Sequence, residues 1–284
     1  MTPTAPQLPA PLRPDAVVPE ALQRTSFADR AAPSRVELVL AGHPAPHVPD
    51  VFRRDRVAAS AIHQVCPGLP VAVRNAAAAE EAAVRAAVRG GRQVLHIGYG
   101  LGVPFREPHG WWRRTSEQHP HVVAVTSCDH AYARAGLLCE DPVRLIFEPE
   151  ERLHLLLDHP HLAGLIDLAR PVDVVLAGTH RTSRTAVEGL LDRLLGELAP
   201  GSTLALIGLA VEDGAARRSL RVRWTHYTGQ RPAVLHHKGA GGLISRLRGF
   251  EQRALLAPPH QAPPDVHAYA AAHCIGTATG RGAS

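Results

Sequence analysis

A glycine loop that follows one apolar strand and a histidine that follows another are the residues of this chain best suited to chemistry. The loop lies in Arg92-Gln-Val-Leu-His-Ile-Gly-Tyr-Gly-Leu-Gly-Val-Pro104, where a short apolar segment runs directly into glycines at 98, 100 and 102. Glycine lets the backbone turn tightly and approach a ligand, so Gly98, Tyr99 and Gly100 are expected to border a nucleotide-type ligand. The spacing G-x-G-x-G does not meet the dinucleotide fingerprint G-x-G-x-x-G. His96 stands two residues before the first of these glycines. Ser127 and Asp129 follow a second apolar strand, Glu148 a third and Thr179-His180 a fourth, which adds hydroxyls and carboxylates able to hold a polar ligand. An imidazole titrates near neutral pH, and His180 is the candidate general base or substrate contact.

Those residues need a scaffold that brings the ends of distant strands together. Strand-like segments over 93–97, 121–126, 143–147, 172–177 and 203–209 alternate with helical ones over 111–117, 129–138, 153–166 and 184–198. That alternation predicts a mostly parallel sheet with helices on both faces, and such sheets hold their ligands in a crevice at the carboxyl ends of the strands. Helical spacing over 51–65 and over the alanine-rich stretch 75–89 predicts two helices ahead of the first strand. After Glu212 a helical region, the turn Gly239-Ala-Gly-Gly242 and two short strand-like segments, 254–257 and 266–275, complete the pattern. Residues 1–30 are proline-rich and weakly patterned, which predicts a flexible leader. Residues 31–284 are expected to form a single domain, helical over 31–90 and sheet-based over 91–284.

Composition sets the outer bounds. With 284 residues, 45% of them hydrophobic, the chain can bury one sizeable core. No apolar run approaches the roughly 18 residues of a membrane span, and the first residues lack the basic and apolar regions of a signal peptide, so a soluble cytoplasmic protein is expected. The net charge of +5 comes almost entirely from arginine, Lys238 being the sole lysine. The arginines occur as scattered pairs such as Arg53-Arg54 and Arg217-Arg218 and form no stripe, which argues against a nucleic-acid partner. Cys66, Cys128, Cys139 and Cys274 make no C-x-x-C pair, and none of the 18 histidines falls in H-E-x-x-H, so no metal site is expected.

The glycine loop resembles the D-x-G-x-G loop of class I S-adenosylmethionine-dependent methyltransferases, and His96 takes the place of the acid. The likeness extends over nearly the whole chain from Arg35 to an actinobacterial-type family of these enzymes, once a domain of unknown function. The family's R-V-Y-D-Y-L-L-G-G-like motif is matched by Arg35-Val-Glu-Leu-Val-Leu-Ala-Gly42, its R-x-N-R helix start by Arg74-Asn75, and its F-L-D-L-G-T-G-L-P segment by Val94-Leu-His-Ile-Gly-Tyr-Gly-Leu101. Asp167-Leu-Ala-Arg-Pro-Val172 and the turn Leu198-Ala-Pro-Gly-Ser202 fit as well. The resemblance implies a class I methyltransferase-like Rossmann fold: a seven-stranded, mostly parallel sheet with helices on both faces, an antiparallel closing pair and an N-terminal helical extension. It also implies S-adenosylmethionine as cofactor and a small-molecule substrate.

Family members hold the cofactor with a carboxylate after each of the first three strands. Here His96 fills the first place, Thr126 or Ser127 the second with Asp129 arriving late, and Glu148 offers the acid near the third. The cofactor-binding set the resemblance implies is therefore His96, Gly98, Tyr99, Gly100, Ser127, Asp129, Glu148 and Thr179. Each charge-assisted bond to a ribose hydroxyl is worth about 1.5 to 3 kcal/mol, so these degenerate motifs leave two functional readings. One is a methyltransferase acting on a small molecule; the other is a methyltransferase-fold protein that has lost the cofactor and acts as a ligand-binding, regulatory or non-methylating protein. Plainer roles stand beside the chemical ones: a tight strand-to-helix turn at Gly98 and Gly100, a buried hydrogen-bonded core histidine at His96, a helix N-cap at Asp129, and packing for Trp111 and Trp112.

Overall fold

The computed structural model describes residues 30–42, 52–98, 121–128, 131–132, 144–232 and 266–274. Three helices come first: α1 (Pro33–Leu40), α2 (Arg53–Val65) and α3 (Leu69–Arg89). The sequence pattern showed two of them. It missed α1, which is only two turns long and has no side-chain N-cap; tertiary contacts hold it, with Val36 and Leu40 in the core and Arg35 buried against Asp55 of α2 at 3.0 Å. α3 begins six residues before the expected start because Pro70 sits in its first turn, where a missing N–H costs nothing.

The strands β1 (Gln93–Ile97), β2 (Val122–Thr126), β3 (Leu145–Phe147), β4 (Val172–Leu176), β5 (Thr203–Val211) and β6 (Val266–Cys274) form one sheet in the order β3-β2-β1-β4-β5-β6. The first five are parallel, and β6 lies antiparallel to β5 with Val211 opposite Val266. Six strands are thus present among the described residues. The segment 254–257, expected as another strand, falls outside them, as do the predicted helix over 111–117 and most of that over 129–138.

Strand alternation assigns the two faces of the sheet. Leu95, Ile97, Val174, Leu176, Leu204 and Leu206 face a layer built from a 3₁₀ helix (Glu150–Asp158), α4 (Pro160–Leu165) and α5 (Arg184–Glu197). The helical stretch expected over 153–166 is split because His159 precedes Pro160 and is forced to an extended conformation. Val175, Ile207 and Leu209 face the other layer, made by α1, α2, α3 and α6 (Gly214–Thr228), where Ile62, Val73 and Trp224 are buried.

The parallel order reverses between β1 and β4: the chain runs outward from β1 to β3 and returns to β4 on the far side of β1. Open α/β sheets bind ligands at this reversal. The carboxyl ends of β1, β2 and β4 meet there, joined by bonds from Gly98 N to Val125 O (3.0 Å) and from Ala177 N to Ile97 O (2.9 Å).

Candidate functional site

Gly98 is the first residue beyond β1, with φ +85°, in the left-handed region. A Cβ there would stand 2.0 Å from the carbonyl oxygen of Ala177, so only glycine lets the chain leave β1 alongside β4. Tyr99, Gly100 and Asp129 lie outside the described residues. Ser127 borders a small cavity of about 10 Å³ with Ile97, Gly98, Leu176, Ala177 and Thr182. A broader hollow of about 370 Å³ lies at the opposite, amino-terminal rim, between Leu157, Leu162, Ile166 and Leu168. Its one charged residue, Asp167, caps its own turn by accepting from Ala169 N, so that hollow offers little to a polar ligand.

The three places where a carboxylate is expected are filled in different ways. His96 is completely buried, and its parity in β1 points it at α3, where Nε2 lies 2.8 Å from Glu80 Oε1. With Glu80 ionised, Nε2 carries the proton of this bond. Thr126, at the end of β2, is also buried, and its hydroxyl accepts from Cys128 N at 3.1 Å, which fixes the turn that presents Ser127. Glu148, one residue beyond β3, is the only acid of the three. Its amide donates to Thr126 O, and its buried carboxylate lies 3.2 Å from Arg152 Nε and 3.9 Å from His159 Nε2.

Beyond β4 the chain turns at Gly178, again left-handed at φ +60°, into a single 3₁₀ turn over Thr179–Arg181. Thr179 donates its hydroxyl to Ile207 O, tying the turn to β5. His180 is buried and its Nε2 lies 2.9 Å from Glu37 Oε1 of α1. The other oxygen of Glu37 forms an ion pair with Arg181 Nε at 3.2 Å, and the Arg181 guanidinium folds back over Gly178, 2.5 Å from where a Cβ would stand. Burial pushes the Glu37 carboxyl up, but Arg181 and His180 outweigh it and hold the group below the ordinary carboxylate range. Burial likewise opposes the charge on Arg181, and Glu37, Glu80 and Cys128 reverse that, leaving the guanidinium firmly protonated.

Two buried histidines and their two carboxylates thus flank one arginine where α1 and α3 cover the ends of β1 and β4. Sequence reasoning found His96 and His180 but missed Glu37, Glu80 and Arg181. The signal for Glu80 was available: it falls in the apolar stripe Ala72, Val73, Ala76, Ala79, Val84 and Ala87 of α3, where a lone acid demands a buried partner. Glu37 lies inside the Arg35–Gly42 motif and carries no spacing that would tie it to position 180.

A Rossmann-like sheet with a glycine turn at its topological switch point is the arrangement in which open α/β sheets place a ligand crevice. The family model described as S-adenosyl methyltransferase matches residues 27–238, and the chain belongs to that family, whose cofactor is S-adenosylmethionine. Two solved structures resemble it over most of both chains. A protein of Thermobifida fusca YX, assigned provisionally as a methyltransferase, is 20% identical with a TM-score of 0.65, over 91% of this chain and 98% of that one. A DUF574-family protein of Streptomyces avermitilis MA-4680 is 19% identical with a TM-score of 0.66, over 89% and 100%. No curated protein matches.

Gly98, Ser127 and Glu148 stand at the carboxyl ends of β1, β2 and β3, the places from which the family's cofactor would be held. The first anchor differs, since His96 is engaged by Glu80 and has no carboxylate to offer an aminium group. Among the described residues no cluster of His, Cys, Asp or Glu could hold a metal ion, and no helix is long and apolar enough to cross a membrane.

Proposed function

We propose that this protein transfers the methyl group of S-adenosylmethionine to a small molecule in the cytoplasm. The observation that carries the reading is the convergence of Gly98, Ser127 and the Thr179–His180 turn on the point where the strand order reverses, in a chain of the S-adenosyl methyltransferase family. In this reading Gly98, Tyr99 and Gly100 cradle the cofactor, Ser127 and Asp129 take the ribose hydroxyls, Glu148 accepts from the adenine side, and His180 serves the reacting centre. Thr179 holds the His180 turn on β5, and His96 supports the floor of the site through Glu80. When bound, the cofactor supplies an electrophilic methyl group. The protein's part is to hold an acceptor atom against it, and proximity of this kind is worth up to about 7 to 11 kcal/mol of a barrier.

With a histidine at the first anchor and Thr126 at the second, the motifs are degenerate and cofactor affinity is expected to rest on Glu148, Asp129 and backbone groups. Isothermal titration with S-adenosylmethionine and S-adenosylhomocysteine tests this. Micromolar binding that weakens tenfold or more in Glu148→Ala is the expected result. No heat of binding to the folded protein would overturn the reading and leave a ligand-binding or regulatory scaffold.

A further inference from the structure

We infer that Glu37 and His180 form a carboxylate–imidazole dyad in which Glu37 positions His180 to take a proton from a hydroxyl acceptor. The inference rests on the methyl-transfer reading. It starts from the two ring nitrogens of His180, whose surroundings differ. Nε2 lies 2.9 Å from Glu37 Oε1, whereas Nδ1 is buried with no hydrogen-bond partner among the described residues. A carboxylate only accepts, so when the ring is neutral the ionised Glu37 fixes its one proton on Nε2 and leaves the lone pair on Nδ1. Arg181 keeps Glu37 in its charged form through the second carboxylate oxygen, at 3.2 Å. The ring cannot turn over without breaking that bond inside a buried site, and its backbone is fixed by the left-handed Gly178 and by the bond from Thr179 to Ile207 O. A buried acceptor nitrogen without a partner beyond the end of β4, with a carboxylate behind the ring, is arranged as a general base for an acceptor that reaches it.

The acceptor class follows from what needs such a base. Near neutral pH an aromatic amine is already uncharged and a thiol, with a pKa of about 8.5, is partly ionised, so each offers a reactive electron pair without a base. A hydroxyl, with a pKa of about 10 in a phenol, does not at neutral pH. In the step we infer, the acceptor's O–H bond breaks and its proton passes to Nδ1, giving an imidazolium whose Nε2–H stays on Glu37. The oxygen's electron pair forms the bond to the methyl carbon, and the pair of the carbon–sulfur bond remains on sulfur. The imidazolium later returns the proton to solvent.

The test separates the dyad from the cofactor reading. Long-range ¹H–¹⁵N spectra of the ¹⁵N-histidine protein are recorded at about pH 8.5, where an ordinary imidazole is neutral, and His180 is assigned by its loss in His180→Gln. The expected spectrum shows a single Nε2–H tautomer that becomes a mixture in Glu37→Gln and stays single in Glu37→Asp. A proton on Nδ1 in the unmodified protein, or a tautomer unchanged in Glu37→Gln, overturns the dyad. Titration with S-adenosylmethionine should give affinities within threefold for the protein and Glu37→Gln. Absence of binding to the unmodified protein defeats the cofactor reading without altering the tautomer result. With the cofactor and a mixture of phenols, alcohols, amines and thiols, mass spectrometry should find O-methyl products, formed at least tenfold more slowly by Glu37→Gln. Methylated amines or thiols alone, no product despite bound cofactor, or equal rates for the two proteins each overturn the inference.

Discussion

His96 shows how one side chain can resemble a ligand contact in the sequence and act as a structural partner in the fold. Its position in the glycine motif is that of a cofactor anchor, yet alternation along β1 places it under α3 against Glu80. Removing one member of such a buried pair strands the other away from water, at a cost of about 3 to 5 kcal/mol. Urea unfolding should therefore show Glu80→Ala and His96→Ala each destabilised on that scale, and the double variant less so than their sum. His96→Asp restores the family's acid but sets it beside Glu80, so a lower thermal midpoint is expected, with no gain in S-adenosylmethionine affinity. A rise in both would show that Glu80 yields and the site reforms. Glu37 makes a prediction about pH. Its carboxyl is held below the ordinary 4.5, so the charged form stabilises the fold above about pH 4.5, and that contribution fades as pH falls through the lower folded value. The stability difference between the protein and Glu37→Gln should accordingly shrink as pH is lowered below about 4.5, in urea midpoints measured at each pH.

At the scale of elements, turns control the site more than helices do. Gly98 and Gly178 are both left-handed, and each lies against a group that a Cβ would strike: the Ala177 carbonyl and the Arg181 guanidinium. An alanine forced into that backbone region costs about 1 to 2 kcal/mol before any clash is counted. Gly98→Ala also meets backbone, which has no room to yield, so it should lose more stability than Gly178→Ala, where a long side chain can move. Differential scanning calorimetry of the two variants checks the order. Helix boundaries follow local chemistry. α5 starts where Ser183 accepts from Ala186 N, and Ser183→Ala should cost about 1 kcal/mol, read from urea midpoints, without changing cofactor affinity. The start of α5 at Arg184 was visible in the sequence because a cap acts on neighbouring residues, whereas the start of α3 at Leu69 and the break before Pro160 were not read from theirs. The run of α1 was not, since its helix depends on Asp55, twenty residues away, and no local pattern reports such a contact.

The whole molecule was legible where its order is carried by repetition. The alternation of strands and helices from Gln93 onward announced the parallel sheet, and the apolar strands β4 and β5 declared themselves central by being buried on both faces. The candidate site was legible at its backbone, through Gly98 and the strand ends, and in the two histidines His96 and His180. Its charged network joins positions 37, 80, 96 and 181, which come together only when α1 and α3 fold over the sheet. That dependence gives a prediction about where the fold begins. Ala31 N donates to Tyr227 O at 2.9 Å, Ala32 N donates to Asp55 at 3.2 Å, and the Arg30 side chain lies against Gly229, so the chain is fastened to α2 and α6 from residue 30 onward. The family match starts at residue 27, close to the same point. Removing residues 1–29 is expected to leave the thermal midpoint within about 2 °C and the S-adenosylmethionine affinity within twofold, since a midpoint shift of that size in a chain this long amounts to less than about 1 kcal/mol. Removing residues 1–42 takes away Arg35 and Glu37, leaves Asp55 buried without its arginine and uncovers Val36's place in the core. That variant should melt far lower and lose the single His180 tautomer. Calorimetry and the histidine spectrum of the two truncations test the boundary, and a large loss from the shorter deletion would mean that the leader is part of the fold.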